Sequence, residues 1–156
     1  MVASTATGIR LDELAQGLFD AFTRFRLKGP RSRRRAGDLK EVEFLTLTLL
    51  SQSDSLIVGE IQRQLGVLPA QMSRIIRALE TRERPLIACR INPQDKRKID
   101  VALTPAGADA FQDHQTARVR TITVLLTRLN EEDLDNLQRL VVKLHEALET
   151  PPGANA

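Results

Sequence analysis

The chain has no Trp, no Tyr and only five Phe among its 156 residues. A platform that stacks unpaired bases needs exposed aromatic faces, so this composition argues against a single-strand binding surface. It also leaves few side chains for an aromatic-rich pocket. Cysteine occurs once, as Cys89, so no intrachain disulfide can form. The longest mostly apolar run, Phe44–Leu50, is far short of the roughly 20 residues a membrane span requires. Met1–Gly8 is small and polar, without the charged start and apolar core of a signal peptide. These absences point to a soluble, cytoplasmic protein with no membrane partner. Nucleophile elbow, phosphate-cradling glycine loop, metal-ligand spacing and paired carboxylates are all missing, so no enzyme, cofactor or metal site is expected. His114 and His145 stand far from each other and from Cys89 in sequence, which suits solvated or interface histidines rather than ligands.

What is present is a segregated charge. Residues 24–98 carry 17 Lys+Arg against 8 Asp+Glu, a net of +9, while the flanks on both sides are net acidic. A basic centre on an acidic scaffold is the footprint of a polyanion-binding module. Hydrophobic residues make up 42% of the chain, enough for a real core. The length suits one domain, with or without helical extensions.

Apolar spacing organises the chain. Leu11, Leu14, Leu18, Phe22 and Phe25 mark one face of a helix from about residue 9 to 27, broken by Gly29-Pro30. Residues 1–8 before it are expected to be disordered. The run Arg31–Arg35 reads equally as a phosphate-contacting segment or a plain basic loop. A second helix is predicted over Leu39–Gln52, although Phe44–Leu50 alternates like a strand. Ile57, Ile61 and Leu65 give a short third helix, ended by Gly66. After Gly66-Val67-Leu68, Pro69 opens a fourth helix with Met72, Ile75, Ile76 and Leu79 on its inner face, completing a helix-turn-helix. Ile87, Cys89, Ile91 and then Ile99, Val101, Leu103 alternate as two antiparallel strands around the charged turn Asn92–Lys98. Thr104-Pro105 starts a long fifth helix to about Leu129, Thr as its cap. Asn130–Asp133 caps a sixth helix with Leu134, Leu137, Val141, Leu144 and Leu148 on one face. Residues 150–156 are expected to be disordered. The fold class is therefore mainly α with a small two-stranded β wing, a winged helix-turn-helix with flanking helices.

Asp95, Arg97, Val101, Leu103, Thr104 and Gly107 stand at the spacing of a known wing signature, at the right distance after a helix-turn-helix. On these residues the chain resembles the MarR family of winged-helix transcription regulators, over about Leu11–Leu148. The resemblance implies a homodimer held by residues 9–30 and 105–149, with residues 37–104 as the DNA-binding domain. It implies a fourth helix in the major groove and a wing in the minor groove of double-stranded DNA. Two departures stand out. Leu68 occupies the cap position where family members often have Ser or Thr, and Cys89 replaces a frequent basic residue. The peroxide-sensing members carry a Cys in the first helix, which this chain lacks.

The candidate DNA-contacting residues follow. On the fourth helix they are Pro69, Ala70, Gln71, Ser73, Arg74 and Arg77. Gln71 suits an adenine edge and Arg74 a guanine edge. Ser73 and Arg77 suit phosphates, which orient without reading sequence. In the wing, Arg97 fits the narrow minor groove of A·T-rich DNA. Lys96 and Lys98 suit the backbone, and Asp95 is expected to pair with an Arg and fix the turn. Cys89 is read as a small core residue, the alternative being a redox-sensitive thiol near the wing. The expected function is a sequence-specific, homodimeric DNA-binding regulator, a repressor by type, acting on a near-palindromic operator and responding to a small-molecule effector of unknown identity. The competing expectation is a helical module that binds protein or an anionic surface without specific DNA recognition.

Overall fold

In the computed structural model, which describes residues 2–28 and 38–149, the chain divides into two units, residues 1–38 and residues 39–156. The first unit holds α1 (Val2–Lys28). The second holds α2 (Glu41–Ser51), β1 (Leu56–Ile57), α3 (Val58–Leu65), α4 (Pro69–Glu80), β2 (Ile87–Ile91), β3 (Ile99–Leu103), α5 (Pro105–Leu126) and α6 (Glu131–Glu149). The Arg31–Arg35 run and the tail from residue 150 lie outside the described residues.

The strand-like alternation of Phe44–Leu50 folds as helix. The hydroxyls of Thr46 and Thr48 donate to the carbonyls of Val42 and Phe44 one turn back, at 2.7 and 2.9 Å. Polar positions are thereby absorbed by the helix itself, and Glu43, Thr46, Leu47 and Leu50 form its buried stripe. At its start, Glu43 reaches back to accept the Lys40 backbone N–H at 2.9 Å.

Three expectations are corrected. Helix α1 starts at Val2, so residues 2–8 are helical rather than disordered. Ala3 and Ala6 favour helix but add no apolar stripe, so periodicity could not reveal the extension. The sheet has three strands in the order β1-β3-β2, all antiparallel, rather than two. Ile57 belongs to β1, pairing with Asp100, and the third helix begins one residue later. A two-residue strand is too short to show alternation. Helix α5 ends at Leu126. Arg128 and Leu129 donate to carbonyls only three residues back, tightening the chain into turns before α6.

The core of the second unit gathers Leu39, Leu47, Leu50, Ile61, Met72, Ile75, Leu79, Leu86, Ile87 and Val101, all buried. It therefore binds α2, α3, α4 and the sheet into one body. Gly66, at φ 64°, ends α3 in the left-handed region that glycine alone adopts without a Cβ penalty. Residue 104 then joins sheet to α5. The Thr104 hydroxyl accepts the Gly107 N–H at 3.0 Å and donates to the Pro85 carbonyl at 2.6 Å. Asn130 caps α6 by accepting the Asp133 N–H at 2.8 Å.

Candidate nucleic-acid interface

Helix α4 turns Met72, Ile75 and Leu79 into the core, so helical geometry leaves Pro69, Ala70, Gln71, Ser73, Arg74 and Arg77 exposed. All six expected contact residues on this helix thus share the solvent side. No acidic residue lies in the first turn. The positive pole of the helix is thus uncancelled at its start, and the guanidinium groups of Arg74 and Arg77 extend the positive charge along the same exposed side. Ser73 differs from its expected phosphate-donor role in one respect. Its hydroxyl donates to the Pro69 carbonyl at 3.1 Å, leaving oxygen lone pairs rather than the proton available.

The wing tip is built by two carboxylates and an amide. Asn92 Oδ1 accepts the backbone N–H groups of Gln94 and Asp95, both at 2.9 Å. Asn92 Nδ2 donates to Asp100 Oδ1 at 2.9 Å, across the base of the turn. The Asn92 N–H donates to the Lys98 carbonyl and the Lys98 N–H to the Asp95 carbonyl, each at 2.9 Å. Asp95 Oδ1 then accepts from the backbone N–H of Arg97 at 3.1 Å and from its Nε at 3.2 Å. Lys98 Nζ lies 3.7 Å from Asp95 Oδ2.

The backbone N–H of Arg97, followed by its guanidinium, holds the Asp95 carboxyl below the usual carboxylate range. The Arg97 side chain is 91% exposed, so this pair adds little stability. Its effect is geometric: Nε is tethered while the terminal Nη groups remain available at the tip. Lys96 is exposed beside it. Sequence reasoning expected Asp95 to pair with an arginine without naming it, and the partner is Arg97. The roles of Asn92 and Asp100 were missed, although Asn-Pro at a strand end signals a turn.

Other groups have structural places. Phe44 of α2 stacks on Phe111 of α5, with ring centroids 5.6 Å apart, and packs against the His114 ring at 4.6 Å. The Arg118 guanidinium sits 5.9 Å from the Phe44 centroid and also pairs with Glu41. His114 is thus a packing residue between α2 and α5. Among the described residues no cluster of three or more His, Cys, Asp or Glu could hold a metal, and no helix is long and apolar enough to cross a membrane.

Cys89 is partly buried against the core, as read from its strand face. Burial first, then the charge and hydrogen bonding of Glu80, push its thiol up to about 11. A thiol raised this far holds about a hundredfold less thiolate at neutral pH than an ordinary one, which disfavours the redox reading. Alkylation of native protein at pH 8 should therefore run about a hundredfold slower than in the unfolded chain, and should accelerate as pH rises toward 11. A native rate equal to the unfolded one, measured by mass spectrometry, would contradict this environment.

The MarR family profile matches residues 39–99. The chain is 30% identical over 113 residues to the HTH-type transcriptional repressor MdtR of Bacillus subtilis strain 168, spanning 72% of both proteins. Among solved structures, YusO from Bacillus subtilis aligns with a TM-score of 0.68 at 26% identity, covering 88% of this chain and 95% of that one. A mutant MarR from E. coli aligns at 0.61 with 23% identity, covering 69% and 78%.

Proposed function

This chain belongs to the MarR family of winged-helix transcription regulators, and from that premise we propose that it acts in the cytoplasm as a homodimeric repressor on a near-palindromic operator. The observation that carries this reading is the pairing, on one packed body, of an exposed polar and basic α4 face with a hydrogen-bonded, arginine-tipped wing. In this reading α4 enters the major groove, where Gln71 and Arg74 meet base edges and Arg77 meets phosphate, while Ser73 would reach a phosphate only by turning its hydroxyl away from the Pro69 carbonyl. Pro69 and Ala70, at the first turn of α4, lead the helix into the groove. Arg97 enters the minor groove, with Lys96 and Lys98 on the backbone and Asp95 shaping the turn.

The homodimer rests on apolar surface. Leu11, Leu14, Leu18 and Phe22 of α1 are exposed, as are Val119, Ile122 and Leu125 of α5 and Leu140, Leu144 and Leu148 of α6. No described residue of α6 is buried. Soluble monomers rarely expose stripes of this kind, and a second copy would cover them. Two-fold symmetry then places the recognition helices about 34 Å apart, one turn of duplex. A small-molecule effector that favours one spacing of the two lobes would control binding.

Binding to genomic fragments, with sedimentation to give the oligomeric state, tests the proposal. A monomer, or affinity no better than for random duplex, would defeat it. Arg97→Ala should weaken operator binding about tenfold and leave the thermal midpoint unchanged, because the side chain is exposed. Unaltered affinity in a titration would remove the wing from the interface.

A further inference from the structure

Three exposed apolar residues stand in a row at the front of α4. Leu68 is 73% exposed, and Pro69 and Ala70 follow it at the surface. The preceding turn separates its two aliphatic residues: Val67 packs against the core, while Leu68 does not. Leu68 also holds the N-cap position, at φ −72° and ψ 153°, where its side chain forms no cap hydrogen bond. Its carbonyl accepts the Met72 N–H at 2.9 Å, but any residue would supply that. A Ser here would satisfy an orphan helix N–H, so this leucine forgoes a local gain without contributing to the core. Local choices that oppose the fold concentrate where function is served.

The setting narrows what the patch can meet. Gln71 and Arg74 are exposed on the following turn, so an apolar tip runs directly into hydrogen-bonding side chains. The N-terminal residues of a recognition helix are those that approach base edges. In the major groove only thymine offers an apolar group, its C5-methyl; other edges offer donors and acceptors that Leu, Pro and Ala cannot match. We infer that Leu68, flanked by Pro69 and Ala70, reads a thymine C5-methyl group beside the base contacted by Gln71 or Arg74. This preference rests on the proposed function and adds a specificity determinant to it.

Deoxyuridine differs from thymidine only by that methyl, which makes it the probe. Operator duplexes selected with the full-length protein would be re-made with each thymine singly replaced by deoxyuridine. At one thymine per half-site the wild-type protein should lose about fourfold in affinity, the worth of one buried methyl. The salt dependence should not change, because no phosphate contact is involved. Leu68→Ser should bind the thymine and uracil duplexes equally, whatever its overall affinity. Its thermal midpoint, at or above that of the wild type because a cap is gained, confirms that it folds. Indifference of the wild type to every replacement overturns the inference, as does a uracil penalty retained in Leu68→Ser. Either result leaves specific duplex binding intact. A protein that prefers no duplex over random DNA overturns the proposed function and the inference with it.

Discussion

Gly107→Ala should destabilise the protein by about 3 kcal/mol, the upper part of the range for overpacking a tight site. A Cβ at this position would lie 2.0 Å from the Leu86 carbonyl oxygen and 2.9 Å from Leu103 Cδ1. The carbonyl cannot swing aside cheaply. It accepts the Thr104 N–H at 3.1 Å, while the Leu86 N–H donates to the Leu79 carbonyl at 3.0 Å and the Leu86 side chain is buried. Relief therefore requires moving the start of α5 away from the β2 entry, which also strains the Thr104 cap. Since β3 leads into that cap, the wing would shift with it, and operator binding should fall together with stability. The thermal midpoint should drop by about 10 °C for a chain of this size. Gly59→Ala supplies the contrast. Nothing lies within 4 Å of its would-be Cβ, and it sits in α3. The same substitution there should stabilise by about 0.5 kcal/mol. Equal effects at the two glycines in urea unfolding would refute the steric argument.

The two outcomes also show what sequence can and cannot reveal. Gly107 was recognisable by its place in the wing signature, yet the reason for it is a carbonyl 21 positions earlier that no local pattern predicts. The α4 face and the two wing strands were legible because their signals are local: a spacing of three and four, an alternation of two, Pro69 and Thr104 at helix starts. What escaped was contact across distance. Phe44 meets Phe111 and His114 only because α2 and α5 pack together. Strand β1 has two residues and gains its identity from pairing with β3, not from its own pattern. Asn92 was visible as a turn residue, but its double use of an amide, oxygen to the backbone and nitrogen to Asp100, depends on register between the strands.

The ion pair between Glu43 and Arg82 is the contact least visible in sequence and among the costliest to break. Arg82 Nη2 lies 2.9 Å from Glu43 Oε2, and the Glu43 side chain is only 4% exposed. The pair ties the first turn of α2 to the segment between α4 and β2. Arg82→Ala would leave a carboxylate out of water without its cation, a change that costs about 3–5 kcal/mol for fully buried pairs. Two features lower the figure here. Arg82 is 24% exposed, so solvent already screens the pair in part, and Glu43 keeps the Lys40 N–H at the positive end of α2. A loss of about 2–3 kcal/mol is therefore expected in urea unfolding. The double variant Glu43→Leu with Arg82→Met should recover most of it, because matched apolar side chains remove the stranded charge along with its partner. About 1 kcal/mol should remain lost, the value of the Lys40 N–H cap that leucine cannot supply. Strict additivity of the two single changes would mean that the charges do not sense each other, whereas a coupling of about 1 kcal/mol or more would show that the pair holds the segment after α4 against α2.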